Sequence, residues 1–357
     1  MDAGGLNIPV WGGLVVGLLL GLVLQRSGFC ARAALANAFE GKDNARLRAY
    51  LLAVAVALVG TQVLAGLGLV DLSGTPYLRA SVPMIGLVIG GVVFGAGMML
   101  AAGCPSRLMV RSAEGHGGAL LTWLVFVLTI MASLEGALAP LREIATGPAT
   151  ALPARTLPAL LGGLPAWVVT ALVVALIAAF LLMAPRQSEW WGWKHPLAGA
   201  MVGGLVAASW YVSIAGASEF DTPVTTALAF VAPAQDLIRY LTMERLGFPL
   251  KFGATAVLGV FLGALISVIL ARRFRWVMPT GGQTLRNVAG GMMMAWGGIL
   301  AMGCTIGQGM AGVATLSVSS FVAVASMVMG AWAAHRMLAM VGRSHPVASG
   351  HAAGNAA

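Results

Sequence analysis

The sequence predicts an all-α polytopic membrane protein. Three observations carry that prediction. Hydrophobic residues make up 59% of the 357-residue chain and charged residues only 9%, against about 25% charged in a soluble domain. Apolar runs of about twenty residues recur along the chain, the length a helix needs to cross a bilayer while satisfying its own backbone. The 48 glycines suit close helix packing and broken helices better than a water-exposed fold.

Taken in order, the apolar runs place about nine transmembrane helices, at roughly 9–29, 46–69, 81–103, 117–138, 165–184, 195–215, 250–272, 285–303 and 318–340. The first run reads as a retained span. Met1-Asp2-Ala3-Gly4-Gly5 carries no basic region, and no small-residue cleavage site follows. Segments 31–40, 105–114 and 305–316 are too brief to span and read as short re-entrant helices or loops. Residues 233–247 mix apolar and charged positions at helical spacing, as in an amphipathic interfacial helix. Trp190, Trp191 and Trp193 read as an aromatic belt. Residues 1–343 form one expected membrane transport domain, with repeat halves of about 1–140 and 190–343, and 344–357 a flexible tail.

Charge sets the orientation. One side collects Lys42, Arg46, Arg48, Arg107, Arg111, Arg186, Lys194, Arg272, Arg273, Arg275, Arg286, Arg336 and Arg343. The other collects Arg79, Arg142, Arg155, Arg239, Arg245 and Lys251, together with Asp71, Glu143, Glu219, Asp221, Asp236 and Glu244. By the positive-inside rule the richer side is cytoplasmic, so the N-terminus lies outside and the C-terminus inside. The net charge of +9 is spread over loops. It reports topology and an anionic solute rather than nucleic acid.

Only three cysteines occur, in Gly28-Phe29-Cys30, Gly103-Cys104-Pro105 and Gly303-Cys304-Thr305. Each follows an apolar, glycine-rich run. Gly90-Gly91, Gly97, Leu100-Ala101 and Gly103-Cys104 recur as Gly290-Gly291, Gly297, Leu300-Ala301 and Gly303-Cys304. Pro9, Gly12, Gly17, Gly21 and Cys30 recur as Pro83, Gly86, Gly91, Gly95 and Cys104. The runs ahead of Cys104 and Cys304 enter from opposite sides, which makes a pseudo-two-fold inverted repeat. Such repeats place substrate sites near the midplane at broken helices.

A thiol is soft, polarizable and a weak hydrogen-bonding group. It suits a sulfur anion, a persulfide or a thiophilic metal. Around the three cysteines stand Arg26, Gly28 and Arg32, then Gly103, Ser106, Arg107 and Arg111, then Gly303, Thr305 and Gln308. These are donors and positive charges, with no carboxylate before Glu40 and Glu114. The balance favours a small sulfur-containing anion held also by helix N-termini. A thiophilic metal would want His or carboxylate ligands. A membrane thiol enzyme handling persulfide would want a base beside a cysteine. Neither pattern is present, and no metal site, cofactor motif or catalytic arrangement stands out, so the chain reads as a transporter and not an enzyme. Glu135 is the one carboxylate near a span that a coupling proton could use.

The cysteine motifs, their spacing and the span pattern resemble those of the YeeE/YedE family of sulfur-transport membrane proteins over nearly the whole chain. The resemblance rests on Gln25-Arg26-Ser27-Gly28-Phe29-Cys30, Leu100-Ala101-Ala102-Gly103-Cys104, Arg111-Ser112-Ala113-Glu114-Gly115 and Gly303-Cys304-Thr305-Ile306-Gly307-Gln308-Gly309. It implies thiosulfate uptake across the bacterial inner membrane through an hourglass-like fold. Short helices and loops would bring Cys30, Cys104 and Cys304 to a central constriction, where S–H···S contacts relay the anion. A cytoplasmic TusA-like sulfurtransferase would be the partner, and membrane lipid the surroundings. Gly103-Cys104-Pro105-Ser106-Arg107 departs from the Gly-Cys-Ala-x-Gly of the thiosulfate type, which leaves another sulfur or selenium species open.

Overall fold

The computed structural model describes residues 8–152, 154–215, 225–243 and 250–344. Their regular structure is almost wholly helical. In chain order the helices are α1 (Ile8–Ser27), α2 (Ala31–Phe39), α3 (Ala45–Gly66), α4 (Met84–Leu100), α5 (Pro105–Ala113), α6 (Gly117–Leu134), α7 (Ala139–Thr146), α8 (Leu157–Leu160) and α9 (Ala166–Leu182). Then come α10 (Lys194–Ile214), α11 (Ala232–Met243), α12 (Phe252–Leu270), α13 (Gly281–Leu300), a π-helical turn (Gly307–Gly312) and α14 (Val318–Ser344). Two short strands, β1 (Ser81–Val82) and β2 (Thr150–Ala151), pair antiparallel with Ser81 opposite Ala151.

Seven helical stretches among the described residues are long and apolar enough to cross a membrane. The other two expected spans fall on α9, apolar but 17 residues long, and on α13. The latter has the length but carries Gln283, Thr284, Arg286 and Asn287 in its first turns. The protein is a multi-pass α-helical membrane protein. Large apolar side chains such as Val15, Val63, Leu128, Leu176 and Ile269 are exposed, as lipid-facing residues are. Glycines line the helix crossings, which lets backbones approach where no hydrophobic force drives helices together.

Glycine decides the pairing. A Cβ on Gly17 or Gly21 of α1 would overlap the carbonyls of Ala256 or Val260 in α12. On Gly91 or Gly95 of α4 it would meet Ser326 or the Met327 carbonyl in α14. The contacts advance together along each pair, so both pairs run parallel. The repeat of Gly17 and Gly21 as Gly91 and Gly95 therefore has a structural meaning: both glycine pairs seat a parallel partner. Gly199 and Gly203 of α10 meet the carbonyls of Ala49 and Ala53 in α3 in the same way.

Helices α4 and α13 run antiparallel. Gly90 abuts Ala301 while Gly290 abuts Ala101, and Gly97 and Gly297 face the opposite helix between them. Residues 200 apart thus exchange places across the crossing, as an inverted repeat requires. The pairing extends outward. Helix α1 packs on α12 as α10 packs on α3, and α4 packs on α14 as α13 packs on α6.

These directions define two faces. The first holds the loop 40–44, the turn 114–117, the segment 183–193 and residues 271–280. There Gly117 N–H donates to Val277 O at 2.9 Å and Val277 N–H to Gly115 O at 3.0 Å. The second holds residues 67–83, α7, β2, α8 and α11. Arg48, counted at first as a charge of the first face, is buried. It donates to the last carbonyls of α9, Phe180 O at 3.4 Å and Met183 O at 3.5 Å, a cation at a helix C-terminus. Trp190 is likewise buried rather than belted, whereas Trp191 and Trp193 are exposed. Of the amphipathic stretch 233–247, residues up to Met243 form α11; 244–247, like the tail from 345, lie outside the described residues.

Substituting valine for Gly17 or Gly95 is expected to cost about 3 kcal/mol or more, because backbone rather than a movable side chain occupies the space. Thermal unfolding in detergent measures it, with Gly204→Ala, which meets nothing within 4 Å, as the unaffected control.

Candidate functional site

Each cysteine sits where an apolar helix ends and a short one begins. The chain turns through a left-handed residue two positions earlier in every case: Gly28 at φ 64°, Ala102 at φ 54° and Met302 at φ 57°. The cysteine then precedes α2, α5 or the π-helical turn. In all three the backbone N–H three residues on faces the sulfur, from Ala33, Arg107 and Gly307 respectively. At Cys304 this is a hydrogen bond of 3.4 Å. All three thiols are buried and free, with exposures of 8%, 2% and 1%.

Cys30 and Cys104 meet. Their thiols face each other within interaction distance, and Cys104 Sγ also lies 3.3 Å from Ser106 Oγ. Cys304 stands apart, against the backbone of Phe230. What joins the two positions is Tyr50 of α3. It lies near both Cys104 and Cys304, donates to Thr305 O at 2.7 Å and stacks on Phe29 with ring centroids 6.1 Å apart.

The supporting residues divide. Ser106 touches its thiol, and Arg32 and Arg107 lie near Cys30. Arg26, at the end of α1, is exposed. Arg107 also pairs with Glu114 at 3.4 Å, so a carboxylate stands closer to the site than sequence distance implied. Arg111 and Gln308 hold the turns through hydrogen bonds, and the Arg111 charge also lies near Cys30. Arg111 donates to Ala102 O at 3.4 Å. Gln308 donates to Ala301 O at 3.0 Å and Met302 O at 3.1 Å, and accepts from Ser320 at 2.6 Å. Thr305 contributes its carbonyl to Tyr50. Gly28 supplies the left-handed turn, and a Cβ on Gly303 would crowd the Gln308 side chain at 2.9 Å. Glu135 caps α6 on the second face. It is held by Arg239 at 2.7 Å and Gln235 at 2.9 Å, away from the thiols.

Sequence reasoning missed Tyr50, Tyr77, Ser320 and Phe230. A signal for the first two was present: the chain has only four tyrosines, and two of them border a cysteine. Tyr77 lies near Cys304 from the second face. Among the described residues no three His, Cys, Asp or Glu side chains are grouped to hold a metal ion.

Residues 26–333 match the family model described as sulphur transport. The chain belongs to that family. It is 29% identical over 341 residues to the thiosulfate transporter TsuA of Escherichia coli (strain K12), covering 90% of this chain and 92% of that relative. It is 28% identical over 338 residues to the thiosulfate transporter TsuA of Spirochaeta thermophila, covering 90% and 97%.

Gln308→Leu removes two carbonyl partners and the acceptor for Ser320 at once. It is expected to lower stability by about 1–3 kcal/mol, read as a drop in unfolding temperature. Ser320→Ala is expected to lower it less.

Proposed function

We propose that this member of the sulphur transport family is a permease for thiosulfate, and that Cys30, Cys104 and Cys304 are the groups the anion touches on its way through. One observation carries the reading: three buried thiols, each at the start of a short interrupted helix, two of them neighbours and the third beside a tyrosine that also lies near Cys104. Two relatives named thiosulfate transporters, each aligned over nine-tenths of the chain, support the substrate. Cationic Arg32 and Arg107 beside Cys30 favour an anion over a thiophilic metal.

Residues 1–343 act as one transport unit with halves of about 1–140 and 190–343. The unit sits in a bacterial inner membrane among its lipids, with the arginine-rich first face toward the cytoplasm. The second face, with Cys304 nearer to it, receives the anion. The first face, with Cys30 and Cys104, releases it, there to meet a TusA-like sulfurtransferase. Thiols replace part of the hydration shell at the dry point. Each contact is worth on the order of 1 kcal/mol or less, weak enough to let go, as conduction requires.

Growth rescue tests this. The chain is expressed in a bacterium lacking its sulfate and thiosulfate importers, with thiosulfate as the only sulfur source. Wild type is expected to restore growth. Cys104→Ala is expected to abolish it with unchanged membrane yield and unfolding temperature. A correctly inserted Cys104→Ala that grows like wild type removes the thiol from the mechanism. No rescue by inserted wild type removes thiosulfate as the cargo.

A further inference from the structure

The Gly307-Gln308-Gly309 turn has two glycines for which cysteine chemistry gives no reason. The structure supplies one. Gly309 faces the hydroxyl of Tyr50, which a Cβ there would overlap, and Gly307 faces the hydroxyl of Tyr77, 3.3 Å from where its Cβ would stand. The two tyrosines reach this turn from different directions. Tyr50 comes from α3, stacks on Phe29, and lies near Cys104 as well as Cys304. Tyr77 comes from the loop 67–83 of the second face. Its ring stands edge-on to Trp210 at 6.1 Å and 79°, and its carbonyl accepts from Ser317 at 2.7 Å.

We propose that Tyr50 and Tyr77 are a pair of aromatic gates that enclose Cys304, Tyr50 closing the way to the Cys30–Cys104 pair and Tyr77 closing the way to the second face. The proposal deepens the transport reading and rests on it for its purpose, but not for its test.

Three further observations fit. The structure shows both gates shut: Cys304 is 1% exposed and Tyr77 7% exposed. Tyr50, though deep in the bundle, keeps part of its surface uncovered, as a side chain bordering a passage does. Beyond Tyr77 the same loop opens into an outward pocket lined by Ser73, Arg79 and Arg155, a basic approach to the closed side. Each gate is held by a different grip. Tyr50 is latched through its hydroxyl to the Thr305 carbonyl at 2.7 Å. Tyr77 is held by its backbone and ring. One can therefore move without the other, which keeps a continuous leak from forming while a small anion steps through.

Sided thiol labelling tests the gates without depending on transport. The protein is reconstituted in sealed vesicles of either orientation and treated with a small charged methanethiosulfonate reagent, and mass spectrometry reads which cysteine is modified. Wild-type Cys304 is expected to react slowly from both faces. Tyr50→Ala is expected to raise its rate at least tenfold from the first face only, and Tyr77→Ala at least tenfold from the second face only. Equal rates in wild type and variants, or a gain on the wrong face, overturn the proposal. If an alanine variant does not fold, Tyr50→Leu or Tyr77→Leu is read by the same criterion. Thiosulfate uptake is measured on the same vesicles. Sided labelling without wild-type uptake keeps the gates and discards the cargo; uptake without sided labelling does the reverse.

Discussion

A helix that breaks inside a membrane strands backbone carbonyls where no water can reach them, and each needs a partner from the protein. The three interrupted helices ahead of the cysteines pose this problem three times, and the site is largely built from its solutions. Arg111 reaches back to Ala102 O, Gln308 to Ala301 O and Met302 O, Tyr50 to Thr305 O, and Gln62 to Ala314 O at 2.8 Å. Ser320 in turn holds Gln308 in place. These side chains, rather than the thiols, serve the stranded carbonyls.

The scaffold that permits the breaks is glycine packing. Where α1 meets α12, α3 meets α10, and α4 meets both α13 and α14, glycines let one backbone rest on another's carbonyls. Helices this close leave little room for side chains between them, so the interior space is set by where the helices stop. The arrangement also explains why glycines mark the helix crossings, while large side chains such as Trp210, Phe94 and Phe126 fill the interior away from them. Lipid offers the same apolar contact as a core, so only tight approach distinguishes one helix partner from another.

Much of this was legible beforehand. The apolar runs located the helices, because a spanning segment has to be long and unbroken. The glycine repeat located the equivalent helices, because backbone contact tolerates no other residue. The left-handed turn two residues before each cysteine could be read only at Gly28; at Ala102 and Met302 the same conformation is carried by residues that rarely adopt it. The polar neighbours have a second task that the sequence does not show. Arg111 and Gln308 look from sequence like ligands for an anion, and near a thiol that is a fair reading. A sequence does not say which carbonyls a break will strand, so it does not say which donors are already committed. Tyr50 was invisible for the converse reason: it lies 54 residues before Cys104 and 254 before Cys304 in the chain, and only the fold brings it between them.

The symmetry of the scaffold and the asymmetry of its chemistry belong together. The paired helices α1 with α12 and α10 with α3 are equivalent, yet a cysteine follows α1 and none follows α10. Cys304 has the backbone of Phe230 against it. One side of Tyr50 therefore offers a single thiol and the other a facing pair with Arg32 and Arg107 beside it. In the proposed path an anion leaves one soft contact for two soft contacts and positive charge. That step is downhill at the constriction, and the cost moves to release at the first face. A permease built this way holds its cargo longest at the paired thiols, and removal of cargo beyond them sets the direction of net flow. On the proposed reading, the missing fourth cysteine makes the two sides of Tyr50 chemically unequal.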